Sequence, residues 1–119
     1  MRLKATVLNA SDAGRLARFY SALLEWPIDK QEDGWVTLRD PAGGAALSLQ
    51  TEELYRPPVW PAAEHTQQMM MHLDIACDDL TAAVARAVEL GATVAEWQPQ
   101  DDVRVCLDPD GHPFCLYVP

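Results

Sequence analysis

The same turn motif occurs twice in this chain, and it constrains the possible fold more than any other feature. Residues 108–111 read Asp-Pro-Asp-Gly. Proline fixes φ at the second position and glycine accepts a positive φ, so this segment predicts a tight turn. Its flanks, residues 103–107 and 114–118, are apolar, β-branched or aromatic, and predict a β-hairpin. A weaker copy of the motif at residues 40–44 lies between two further apolar runs. The repeated hairpin predicts a duplicated chain.

A helix is predicted before each hairpin. Ser11 or Asp12 is expected to cap the first helix, whose apolar residues follow the i, i+3, i+4, i+7 pattern. Pro27 is expected to end it. The second helix is expected to begin at Asp78 or Asp79 and to end at Gly91, which favours the left-handed stop. The apolar stripes are Leu16, Phe19, Tyr20 and Leu23 in the first helix, and Leu80, Ala83, Val84, Ala87 and Leu90 in the second.

The predicted strands complete two similar modules. Besides the hairpins, strands are predicted at residues 3–9, 28–30, 70–76 and 92–97, so each half reads β-α-β-β-β. Asp12 and Asp79 are separated by about 67 residues, and internal repetition at a constant period is a strong indicator of fold. We therefore predict an α+β fold of tandem βαβββ modules in a single domain, 1–119. Module one is expected at 1–50, a connector at 51–67 and module two at 68–119.

The composition excludes several classes of function. The net charge of −9 argues against nucleic-acid and anionic-membrane partners and is compatible with a cationic ligand. No apolar run suggests a transmembrane helix, and no signal peptide is apparent, so a cytoplasmic location is expected. The three cysteines lack Cys-x-x-Cys spacing and lie in apolar runs, where reduced cysteine behaves as a small hydrophobe. The connector contains three prolines and several apolar residues, so we expect it to pack against the protein.

Several short segments carry a family resemblance. In the first half they are Ser-Asp at 11–12, Phe-Tyr at 19–20 and Leu-Leu-Glu-Trp at 23–26. In the second half they are His-Leu-Asp-Ile at 72–75, Asp-Asp-Leu at 78–80, Leu-Gly-Ala at 90–92 and the turn with its following residues, 108–114. Together they resemble the glyoxalase/bleomycin-resistance/extradiol-dioxygenase group, the vicinal oxygen chelate superfamily, and within it the glyoxalase-like subgroup. The resemblance implies a cup-shaped, partly closed mixed or antiparallel sheet around a pocket, and a homodimer.

Enzymes of this superfamily hold a divalent metal ion with four His, Glu or Gln ligands from the first and last strands of each module. Carried over to this chain, the first-strand positions are Ala5 and His72. The last-strand positions are Cys115 in module two and either Leu47 or Ser48 in module one, with the register open by one residue. His72 is an ordinary ligand and Cys115 would suit a soft metal, but two ligands are too few for a stable site. We therefore expect no metal and no cofactor, and assign no catalytic residue.

The candidate ligand-binding residues are mainly aromatic. Trp60 in the connector and Trp97 beside a polar loop are the better candidates, because concave sites combine aromatic walls with a few polar groups. Trp35 lies on a predicted strand, and its side chain could point to either face of the sheet. His72 and Cys115 are candidate pocket residues, although a core histidine and a buried thiol are the alternatives. A Cys115–His72 dyad lacks any sign of an activated thiol. Acidic residues in the same loops suit a planar or cationic ligand.

Three hypotheses follow for function. The first is a metal-free protein that binds or sequesters a small, aromatic or cationic molecule in the sheet cleft. The alternative is a divergent lyase, isomerase or dioxygenase of the same superfamily, and whether the chain is an enzyme stays open. The third is an accessory module without ligand chemistry, for which a filled, closed pocket would be the sign.

Overall fold

A computed structural model describes all 119 residues and divides them into two compact units, Met1–Tyr55 and Arg56–Pro119. The order of elements in each unit is β-α-β-β-β, as predicted. Unit 1 comprises β1 (Ala5–Ala10), α1 (Ala13–Leu24), β2 (Ile28–Glu32), β3 (Trp35–Leu38) and β4 (Ala46–Thr51). Unit 2 comprises β5 (Leu73–Ala76), α2 (Leu80–Leu90), β6 (Thr93–Val94), β7 (Val103–Leu107) and β8 (Pro113–Tyr117).

Each unit contains one open, mixed, four-stranded sheet. The strand order is β1-β4-β3-β2 in unit 1 and β5-β8-β7-β6 in unit 2. The first strand of each unit runs parallel to the last, and the other pairs are antiparallel. The predicted α+β fold of repeated βαβββ modules is confirmed.

The helix boundaries follow the predicted capping residues. Of the alternatives at each N-terminus, Asp12 and Asp79 are the caps, and each carboxylate accepts a backbone hydrogen bond at 2.9 Å. Gly91 ends α2 in the left-handed region with a φ of 118°. In α1 this position is taken by Glu25 with a φ of 56°, two residues before the predicted stop at Pro27.

Each helix covers one face of its own sheet. In unit 1 the predicted stripe of α1 buries Leu16, Phe19 and Tyr20 on the side of β3 and β4. In unit 2 α2 packs against β6, β7 and β8, and Ala87, Phe114 and Leu116 are buried. Because side chains alternate across a strand, the residues between these core positions face away from the helix. This second face is where the candidate site lies.

Two strands are shorter than predicted. β5 begins at Leu73 rather than at residue 70, because its pairing with β8 begins at Leu73 and Phe114. β6 contains only Thr93 and Val94 rather than residues 92–97. Beyond it the Gln98 side chain occupies the hydrogen-bonding edge of β7, so the backbone of residues 95–102 forms a loop instead of a longer strand.

The proline-rich segment from Arg56 onward belongs to unit 2. Val59 forms an isolated parallel bridge with Gln68, and its backbone N–H donates to the Gln67 carbonyl at 2.8 Å. A Cβ atom added at Gly111 would lie 3.0 Å from Cβ of Pro57, so the segment packs closely on the β7–β8 turn. The expectation that the connector packs against the protein is confirmed within this unit.

Candidate functional site

A cleft of approximately 480 Å³ lies within unit 2. The pairing of Asp74 with Cys115, and of Val103 with Tyr117, brings side chains of three neighbouring strands to one face of the sheet. These four residues line the cleft, and Trp60 supplies a further side from the connector. The strands of the sheet thus build the floor, and two loops complete the walls.

Three rings pack together at this site and form what we call the aromatic wall: Trp60 and His72, which line the cleft, and Trp97, which contacts Trp60. The Trp60 and His72 rings are stacked, with centroids 4.8 Å apart and planes inclined by 27°. Trp97 meets Trp60 edge to face, also at 4.8 Å, with an angle of 69°. Trp97 remains 38% exposed, so the cluster is accessible to a ligand. Such a wall offers both apolar area and an electron-rich ring face.

A polar cluster, defined as His72, Asp74 and Cys115, lies beside the aromatic wall. An Asp74 carboxylate oxygen lies 3.1 Å from Nε2 of His72, and the Asp74 side chain is 62% exposed. The Cys115 thiol lies close enough to the Asp74 carboxylate for that carboxylate to contribute to the raised pKa of the thiol. One potential ligand atom from each of the three side chains lies within 4.8 Å of the other two. The cluster therefore unites an imidazole, a carboxylate and a thiol in an open cleft.

The Cys115 thiol is held in its protonated form. Burial raises its pKa to about 11, and the nearby Asp74 carboxylate adds to this shift, because both disfavour a thiolate. A reactive cysteine needs a lowered pKa or an adjacent positive charge. The structure therefore gives no support to an activated Cys115–His72 dyad.

The loop that carries Trp97 is fixed by the Gln98 amide. Its nitrogen donates to the carbonyl oxygens of Ala95 and Val105, both at 2.9 Å. Its oxygen accepts from the Val105 N–H, also at 2.9 Å. Three bonds from one side chain thus hold the loop against β7. Sequence reasoning assigned no role to Gln98, because an amide that continues a strand edge carries no sequence signature.

The structure brings together four of the five predicted site residues. Trp60, His72 and Cys115 line the cleft, and Trp97 contacts Trp60. Trp35 instead lies in unit 1, where its indole Nε1–H donates to Thr37 Oγ1 at 3.0 Å. Sequence reasoning missed Asp74, although its position two residues after His72 on a predicted strand already placed both side chains on one face.

A model of the family described as "Glyoxalase-like domain" matches residues 5–117. This protein belongs to the glyoxalase-like family. No curated protein matches the chain significantly. No helix of the chain has the length and apolar character needed to cross a membrane.

Solved structures support the same fold. A glyoxalase/bleomycin resistance protein/dioxygenase family enzyme from Burkholderia phytofirmans is similar with a TM-score of 0.75 at 17% identity, over 98% of this chain and 97% of that one. A possible glyoxalase from Bacillus cereus has a TM-score of 0.71 at 15% identity, over 98% of each chain. A glyoxalase/bleomycin resistance protein from Albidiferax ferrireducens has a TM-score of 0.68 at 20% identity, also over 98% of each chain.

The four-ligand metal set that the resemblance implies does not fit this glyoxalase-like chain. The strand pairing settles the open register: Ser48 pairs with Val7 as Cys115 pairs with Asp74, so Ser48 rather than Leu47 is the counterpart of Cys115. Unit 1 therefore offers only Ala5 and Ser48 at these positions. Ser48 is 1% exposed, and its hydroxyl hydrogen-bonds Thr37. No metal-dependent step can be built on the family's ligand pattern here.

Proposed function

We propose that this glyoxalase-like protein binds a small planar aromatic cation in the cleft of unit 2. The observation that carries the proposal is the aromatic wall standing beside the exposed carboxylate of Asp74. A flat ring can stack on Trp60 or Trp97, while a positive charge gains from the ring faces and from Asp74.

The cleft's size and the charge of the chain support a ligand of this class. A volume of approximately 480 Å³ lies within the range of small-molecule sites. The net charge of −9 favours the approach of cations over anions. The binding that we propose needs no metal ion, because the rings and the carboxylate supply the attraction themselves.

A matched pair of probes tests the proposal. 1-Methylquinolinium carries a permanent positive charge, whereas quinoline has nearly the same shape and is uncharged at neutral pH. We expect 1-methylquinolinium to quench tryptophan fluorescence saturably and to raise the melting temperature, and quinoline to bind more weakly. Equal binding of both probes would remove the cationic part of the proposal. Absence of binding by either would contradict the proposed site.

A divergent lyase, isomerase or dioxygenase of the same superfamily is the second candidate. The observation that favours it is the convergence of an imidazole, a carboxylate and a thiol within 4.8 Å in an open cleft. Substrate turnover that disappears in a His72→Gln variant and survives in a Trp35→Phe variant would support this candidate. Turnover that survives the loss of His72 would place the chemistry elsewhere.

A further inference from the structure

We propose that Tyr117 makes the cleft of unit 2 selective for planar aromatic cations that carry an oxygen substituent on the ring away from the positive charge. This inference rests on the proposed function and defines its class of ligand more closely. Tyr117 lines the cleft and is half-buried. Its hydroxyl makes no hydrogen bond within the protein. A phenol of this kind is available to a ligand as both donor and acceptor.

Other polar groups at the cleft already have partners within the protein. An Asp74 carboxylate oxygen lies 3.1 Å from Nε2 of His72. In the loop that carries Trp97, the Gln98 amide makes three bonds to backbone groups. The Tyr117 hydroxyl differs from these groups because its hydrogen-bonding capacity is unused.

Strand geometry places Tyr117 within reach of a bicyclic ligand bound at Asp74. Asp74 pairs with Cys115, and Tyr117 lies two residues further along β8 on the same face of the sheet. Two residues of a strand span about 6.6–6.8 Å. A ligand whose charged ring lies at Asp74 can therefore present a substituent of its second ring to Tyr117.

A second unused polar group lies at the same end of the cleft. Val103 pairs with Tyr117, and Nη1 of the neighbouring Arg104 donates to the Gln100 carbonyl oxygen at 3.4 Å. Gln100 lines the cleft together with Val103, and the side-chain amide of Gln100 makes no hydrogen bond within the protein. A phenol and an amide thus make this end of the cleft polar.

The expected consequence is selectivity between ligands of equal size. A hydroxyl without a partner in the protein bonds to water until a ligand displaces that water. An oxygen substituent replaces the lost hydrogen bond, whereas an alkyl substituent leaves the hydroxyl without a partner. Sites that hydrogen-bond a group of their substrate reject analogues without that group for the same reason.

Two probes of nearly equal shape test this inference. 6-Methoxy-1-methylquinolinium offers an acceptor oxygen to the Tyr117 hydroxyl, and 6-ethyl-1-methylquinolinium has a methylene group in its place. Isothermal titration should give an affinity about fivefold higher for the methoxy probe, as expected for one net hydrogen bond. Equal affinities, or tighter binding of the ethyl probe, would overturn the inference.

A matched pair of variants assigns the effect to one hydroxyl. Tyr117→Phe removes an oxygen that no protein group uses, so this variant should fold normally and bind the two probes equally, through loss of affinity for the methoxy probe alone. Tyr55→Phe, in unit 1, should retain the difference between the probes. A difference that persists in Tyr117→Phe would overturn the inference, because it would originate in the probes themselves.

The same titrations distinguish failure of this inference from failure of the proposed function. If the methoxy and ethyl probes bind equally, and both more tightly than quinoline, the cation site remains and the role of Tyr117 is wrong. If neither probe binds, and 1-methylquinolinium does not bind either, the proposed function is wrong and this inference fails with it.

Discussion

The two units present the same sheet face with opposite chemical character. In unit 1 this face carries a chain of hydrogen bonds from Trp35 through Thr37 to Ser48, and Ser48 is buried. In unit 2 the equivalent face carries the polar cluster and opens into the cleft. Equivalent strand pairs thus carry hydroxyl and indole groups that hydrogen-bond one another in unit 1, and an open cluster of imidazole, carboxylate and thiol in unit 2.

Three side-chain differences account for most of this contrast. At a constant offset of 67 residues, Ala5 corresponds to His72, Val7 to Asp74 and Ser48 to Cys115. The backbone pairing of Val7 with Ser48 is equivalent to that of Asp74 with Cys115, so the difference in chemistry at these positions comes from side chains. In a duplicated fold, one copy can carry the site while the other keeps a structural role.

The largest expected effect concerns the two hairpin turns. Asp108 is buried and accepts hydrogen bonds from the backbone N–H groups of Asp110 and His112 and from the His112 ring. Asp40 accepts two backbone bonds in an exposed turn. Asp108→Ala should reduce the free energy of unfolding by about 3 kcal/mol, because it leaves several donors without a partner in a buried place.

The matched variant Asp40→Ala should cost only about 1 kcal/mol, since water can replace the lost acceptor. Urea-induced unfolding of both variants measures the difference. Equal losses of stability would show that the two turns are energetically equivalent and would contradict the predicted difference between them.

The second effect concerns the reactivity of Cys115. Its pKa of about 11 lies some two units above the ordinary value of 9.0, so at neutral pH its thiolate fraction should be about a hundredfold lower than that of an ordinary cysteine. In metal-free protein, alkylation of Cys115 by iodoacetamide should keep rising with pH up to about 11. Mass spectrometry of peptides after timed reaction gives the rate at this residue.

Urea-unfolded protein is the control, and alkylation of its Cys115 should reach half of its maximal rate near pH 9. The shape of the pH profile decides the question, because poor access alone would lower the rate equally at every pH. A profile in folded protein that reaches its plateau near pH 8 would contradict the raised pKa.

The third effect compares two tryptophans. Trp60→Ala removes the ring that joins His72 and Trp97, so 1-methylquinolinium affinity should fall about tenfold. Trp35→Ala alters a residue of unit 1 and should leave the affinity unchanged. Isothermal titration at a temperature where both variants are folded measures this. Equal losses in the two variants would place the binding site outside the cleft.

The smallest expected effect is that of the Asp74 negative charge, as distinct from the shape of its side chain, on ligand affinity. Asp74→Asn keeps the side-chain volume but removes the negative charge, and an exposed ion pair contributes little. We expect 1-methylquinolinium to bind about threefold more weakly and quinoline to bind equally well. A loss of affinity for quinoline as large as that for 1-methylquinolinium would mean that Asp74 acts through structure rather than charge.

Local patterns predicted most of the fold. The caps Asp12 and Asp79, the stop at Gly91 and the two hairpins are determined by residues close in sequence, so periodicity and turn chemistry identified them. The predicted length of β6 was wrong. The Gln98 side chain, which belongs to a loop, hydrogen-bonds the Val105 backbone in place of a longer β6 strand. Secondary-structure propensities do not predict such a side-chain contact.

The candidate site was only partly predictable. His72 and Cys115 were found through the resemblance, because they occupy positions that the family uses. Asp74 was missed because its importance comes from the parallel pairing of β5 with β8, which brings it beside Cys115. The assignment of Trp35 likewise depended on the division of the chain, because Trp35 belongs to unit 1 whereas Trp60 and Trp97 belong to unit 2.

The central claim is that unit 2, and not unit 1, carries the ligand site. The most direct test follows the four indole N–H signals in a ¹⁵N–¹H correlation spectrum, assigned by single tryptophan-to-phenylalanine variants, during titration with 1-methylquinolinium. We predict saturable shifts of the Trp60 and Trp97 signals, while those of Trp26 and Trp35 stay in place. Shifts confined to Trp35, or no saturable shift at any indole, would contradict the claim.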